Sequence, residues 1–133
     1  MNILSKIILL VFLFSGYCSM AQPAIAIHKF DSLHAACFNK AVNLGGCAEK
    51  YYAEMDSMLH VVYKMERMRL DTTVRKNLNK EQLKWISDRN NYFEKIKTEP
   101  SSLQGEDRQM EIADKKANFV RKRVIELLNR LTY

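Results

Sequence analysis

Residues Cys47–Leu70 read CAEKYYAEMDSMLHVVYKMERMRL, and the spacing of their apolar side chains decides the fold. Tyr51/Tyr52, Met55, Met58/Leu59, Val62, Met65 and Met68/Arg69 recur at steps of three and four, the repeat of one helical face. Downstream, Asp71-Thr72-Thr73 is an N-cap cluster for another helix running to about Thr98. Its stripe is Val74, Leu78, Gln82, Trp85/Ile86, Arg89, Tyr92/Phe93 and Ile96. Pro100–Gly105 is the clearest loop in the chain. Glu106–Leu131 then places Met110, Ala113, Ala117, Val120, Val124, Leu127/Leu128 and Leu131 inward. Upstream, a helix fits Ala26–Val42, with Ile27, Phe30, Leu33/His34, Cys37 and Ala41 on one side, and Asn43-Leu44-Gly45-Gly46 breaks it. With strand signals nearly absent, four helices and short loops predict an all-α, four-helix up-down antiparallel bundle.

The chain begins with a different kind of segment. Met1–Ala21 carries one positive charge, Lys6, then the apolar run Ile7–Phe14, then small and polar residues ending in Ser19-Met20-Ala21. That order is what a cleavable secretory signal requires, and the run is too short to span a bilayer. Cys18 could mark a lipoprotein signal, but Tyr17 stands where such a signal needs a small residue. Cleavage after Ala21 leaves residues 22–133 as a single domain, addressed to the periplasm or the medium. The formal charge of +6 is interspersed along the helices, apart from the short run Arg121-Lys122-Arg123. Such patterning reads as a solvated helical surface. A basic exported domain can also rest on anionic glycan or lipid.

Loss of Cys18 leaves Cys37 and Cys47, an even pair in an oxidising compartment, so one disulfide is expected. A loop that short contributes about 2.5–3 kcal/mol in the chain-entropy model. Gly45-Gly46 supplies the reversal the closure needs. Two cysteines without a nearby histidine or third cysteine make a poor zinc set. His28, His34 and His60 lack the helical spacing of a metal pair, and no CxxCH motif, phosphate loop or GxSxG elbow occurs. No catalytic, metal-binding or cofactor-binding residue is therefore assigned, and neither is a nucleic-acid surface.

The informative residues are the polar ones inside apolar stripes. Gln82 and Arg89 share the face of Trp85, and an arginine on a core face must keep a partner. Asp56 lies near the apolar face of the preceding helix, and Tyr63 is two turns further along it. An Asp56–Arg89 pair is predicted, with Gln82 and Tyr63 completing a hydrogen-bond network around Trp85. One carboxylate and one arginine suit a structural lock between helices better than an acid/base site.

These residues also carry a resemblance. Cys37, Cys47, Asp56-x-x-Leu59-His60-x-x-Tyr63, Gln82-x-x-Trp85-x-x-x-Arg89 and Arg123-x-x-x-Leu127 occur in the order of the lysozyme inhibitor LprI-like N-terminal domain. The likeness covers roughly Ala35–Leu131. His60 stands where that family usually has Asn, and Asn90 where it has Asp. Tyr92 and Phe93 follow where the family often has a further cysteine, whose partner near Met110 is also missing. The resemblance thus implies apolar packing in place of a second disulfide.

What the resemblance implies is an exported helical binding domain, with a lysozyme-type muramidase as the leading partner. The loops Asn43–Gly46 and Thr98–Gly105 are candidate contacts, because bundle tips are free to vary. Many lysozymes are basic, so a basic inhibitor would need a local acidic patch, such as Glu49 and Glu54 or Glu106, Asp107 and Glu111. The alternative is an envelope structural or interaction module without inhibitory activity.

Overall fold

Two side chains start the second and third helices. Asn43 Oδ1 accepts the Gly46 N–H at 2.8 Å, and Asp71 Oδ1 accepts from Thr73 and Val74 at 2.8 and 3.0 Å. Each satisfies amides that a helix start leaves unpaired. The computed structural model describes residues 21–40 and 43–131. They form four helices: α1 (Ala21–Lys40), α2 (Leu44–Arg69), α3 (Thr72–Thr98) and α4 (Gly105–Leu131). The all-α bundle expected from periodicity is the fold. Residues 1–20 of the signal segment lie outside the described residues, as does Ala41.

The C-termini of α2 and α3 are closed by arginines from the helix that follows. Arg75, in the first turn of α3, donates to the carbonyls of Arg67 and Leu70 at 3.1 and 2.8 Å. Arg108, in the first turn of α4, donates to those of Ile96 and Glu99 at 2.6 and 2.9 Å. A guanidinium suits the negative end of a helix and supplies the donors its last carbonyls lack.

The closest packing joins α2 to α4. Gly45 lies beside Glu106 and Arg69 beside Arg130, so these two helices run parallel. Ala48, Met55 and Val62 on α2 and Ala117, Val120, Val124 and Leu127 on α4 have no appreciable exposure. Small and β-branched side chains let the two axes approach closely. Helices α1 and α3 then flank this central pair. Among the described residues, no helix is long and apolar enough to cross a membrane.

Two sequence expectations need correction. Gly45 and Gly46 belong to the first turn of α2 instead of breaking the chain. Only Gly105 has a positive φ among the described residues, +59°, so neither Gly45 nor Gly46 supplies a reversal through left-handed backbone. The apolar stripes also overrun the core at their ends. Met68, at the end of α2, is 72% exposed and Val74, in the first turn of α3, is 43% exposed, because a flanking helix covers only part of its neighbour's length.

Candidate functional site

Cys37 and Cys47 are joined, with Cα atoms 5.9 Å apart, tying α1 to the start of α2. Further along α1, Asp31 receives Arg121 from α4 at 3.0 and 2.6 Å and the Tyr51 hydroxyl from α2. The Arg121 guanidinium holds the Asp31 carboxyl below its ordinary range. Burial, with Asp31 beside it, pushes the Tyr51 phenol up. His34 stacks on Tyr51 at 4.1 Å and meets Asp114 at 3.3 Å. These contacts fasten α1 to both central helices.

The polar residues foreseen around Trp85 do gather between α2 and α3: Arg89 and Asp56 form an ion pair as expected, while the hydrogen bonds run to other partners. Arg89 Nη1 lies 3.8 Å from Asp56 Oδ1, beyond hydrogen-bond reach, and that oxygen is buried without a hydrogen-bond partner. The Arg89 guanidinium instead donates to Asn90 Oδ1 at 3.3 and 3.1 Å and lies 5.6 and 5.8 Å from the Trp85 and Phe93 ring centres. Its side chain is 24% exposed, so solvent and two aromatic faces share its charge. Tyr63 gives its hydroxyl proton to Asn79 at 2.7 Å, not to Gln82. Gln82 Oε1 is already taken by two N–H groups of Arg123, at 3.2 and 3.0 Å. A charged two-pronged donor outcompetes a neutral phenol for one amide oxygen.

Arg123 is therefore the buried arginine, 3% exposed, and sequence reasoning placed it in a solvated charge run. It also pairs with Glu81 at 2.6 Å and Glu126 at 2.9 Å. Arg130 grips the same Glu81 at 2.7 Å, and the two guanidinium groups, Arg130 first, hold the Glu81 carboxyl down to about 2. The signal was present: residue 123 falls three after Val120 and four before Leu127, inside the apolar stripe of α4.

An aromatic layer fills the space between α3 and the central pair. Tyr92 stacks on Phe119 at 4.7 Å, Trp85 tilts against Phe119 at 5.7 Å, and Phe93 meets Tyr52 edge-on at 5.9 Å. Tyr92 and Phe93 thus pack on Phe119 and Tyr52. Below this layer, a cleft of about 160 Å³ opens between α2 and α3, with His60, Tyr63, Gln82, Trp85 and Arg89 around Leu59 and Ile86.

At the other functional candidate, the α3–α4 connection, charge builds a defined shape. Arg108 pins the last carbonyls of α3 and pairs with Glu111 at 2.6 Å. Glu111 also accepts the Ser101 hydroxyl at 3.0 Å, and Ser101 Oγ accepts the Leu103 N–H at 3.1 Å. Lys115 bridges Glu99 and Glu111 and, with Arg108, holds the Glu111 carboxyl down to about 2. The loop therefore has a fixed base and presents Leu103, 39% exposed, at its tip. Gly45, in the first turn of α2, lies beside Glu106, so both candidate loops share one end of the bundle. Glu106 and Asp107 are exposed there, while Glu111 is committed internally. No cluster of three or more metal-ligating side chains occurs among the described residues.

No curated protein and no solved structure matches the chain. A family model does, over residues 36–127, more than two-thirds of the sequence. The cysteine pair, the Trp85 cluster and the Arg123 clamp all fall within that span. By that match, the chain belongs to the family described as Lysozyme inhibitor LprI.

Proposed function

We propose that this protein is an exported, non-enzymatic binding domain that inhibits a lysozyme-type muramidase through the loop end of its bundle. Family membership supplies the activity class, and the pinned 99–104 loop is the observation that carries the surface. A loop already held by Arg108, Glu111 and Lys115 loses little conformational freedom when it docks. Its exposed Leu103 gives an apolar contact at the tip, and Glu106 and Asp107 beside it face a basic enzyme favourably. Export follows from the signal-like start of the sequence, which places the domain where wall-directed enzymes act.

The test is a cell-wall turbidity assay with purified protein and chicken-, goose- and invertebrate-type lysozymes. Slowing of at least one enzyme is expected, and Leu103→Asp should abolish it without lowering the melting temperature. Folded protein that slows none of the three at tens of micromolar would overturn the reading.

A further inference from the structure

The cleft between α2 and α3 carries chemistry that loop-mediated inhibition does not use. Its hydrogen-bonding capacity can be assigned atom by atom. Arginine only donates, so the two bonds from Arg123 fix Gln82 Oε1 as the amide oxygen and leave the Gln82 NH₂ as a donor. The Asp56 carbonyl only accepts, so His60 Nδ1, 2.9 Å away, carries the proton. Nε2 of the neutral ring is then an acceptor at the rim. Tyr63 has given its proton to Asn79, which leaves its oxygen lone pairs. Among the described residues, no hydrogen bond engages the Trp85 indole N–H.

Charge narrows the ligand further. Asp56 lies 3.8 Å from Arg89, so the cleft is neutral as a whole and gives a free anion little net attraction. Leu59, Ile86 and the indole make the remaining surface apolar. A group that fits this set is uncharged and offers one carbonyl acceptor, one N–H donor and one methyl. From this juxtaposition of Gln82, His60, Trp85 and the Leu59/Ile86 wall, we infer that the cleft binds an acetamido group. Two sources of that group exist, an N-acetylated amino sugar and an acetylated peptide end. The sugar suits the cleft mouth, where His60 is exposed and offers an acceptor to a ring hydroxyl. This site is independent of the inhibitory loop, and the protein would hold wall glycan with one surface and meet an enzyme with another.

The chain has a single tryptophan, Trp85, so its emission reports this cleft alone. The purified protein is titrated, with no lysozyme present, against N-acetylglucosamine, its β-1,4-linked trimer, N-acetyl-alanine methylamide and glucose. A saturable change with the acetylated sugars and none with glucose is expected. Saturation by the acetylated amino acid instead would keep the acetamido site and assign its source to peptide. His60→Ala, at an exposed position, should weaken binding roughly fivefold, the loss of one neutral hydrogen bond, with the melting temperature unchanged. An equal response to glucose, no saturation with any acetamide, or unchanged affinity in His60→Ala would overturn the inference.

Discussion

Arg121 and Arg123 sit two residues apart on α4 and clamp opposite helices. Arg121 reaches Asp31 on α1, while Arg123 reaches Glu81 and Gln82 on α3. Two helical residues at that spacing point about 200° apart. A three-residue basic run thereby fastens both flanking helices to the central α2–α4 pair. Arg75 and Arg108 in turn close the ends of α2 and α3 by donating to their last carbonyls.

Arg123→Ala should destabilise the fold by roughly 3 kcal/mol, because a buried charge-assisted cluster loses its centre. Gln82 would keep a buried carbonyl without a donor. Urea denaturation should show the midpoint falling with little change in slope.

Arg89→Ala should cost only about 1 kcal/mol, given a partly exposed guanidinium at 3.8 Å from its carboxylate. The same urea series ranks the two arginines, and a larger loss at Arg89 than at Arg123 would contradict the assignment of the buried clamp.

The acid limb of the stability curve should depend on Glu81. Its carboxyl is held down to about 2 by Arg130 and Arg123, against an ordinary value near 4.5. A depressed carboxylate contributes stability above its unfolded value and loses it as pH falls toward the folded one. Stability should therefore decline between about pH 4.5 and 2. Glu81→Gln should flatten that limb while lowering the plateau at neutral pH, as melting temperatures across the range will show.

Arg108→Ala should release the loop without unfolding the bundle. Two carbonyls at the α3 end lose this donor at once, and Glu111 keeps only Ser101 and Lys115. Amide exchange over residues 99–104 should accelerate, and inhibition should weaken through the added ordering cost of docking. Unchanged exchange rates would show that Lys115 suffices to hold the loop.

Removing the Cys37–Cys47 link, by reduction or by paired replacement with Ala, should lower stability by about 2.5–3 kcal/mol. The loss should appear first in α1, because the link joins it to α2 close to the loop between them. Asp31–Arg121 and Ile27 would still hold its remainder. Hydrogen exchange with and without reductant separates local loosening from global unfolding.

Periodicity alone located the helices and the buried stripe of α4, because a face repeating every three to four residues has one way to hide from water. Asp71 announced a helix start for an equally local reason, since its side chain reaches only the next few amides. Polar partners were less legible. A stripe tells that Gln82, Arg89 and Arg123 lie toward the interior, not which neighbour each will meet. That was decided by the close parallel approach of α2 and α4, which brings Arg123 under Gln82 and leaves Arg89 between aromatic rings. The approach is a collective result of packing Ala48, Met55, Val62, Ala117, Val120 and Val124. No single position in the sequence encodes it.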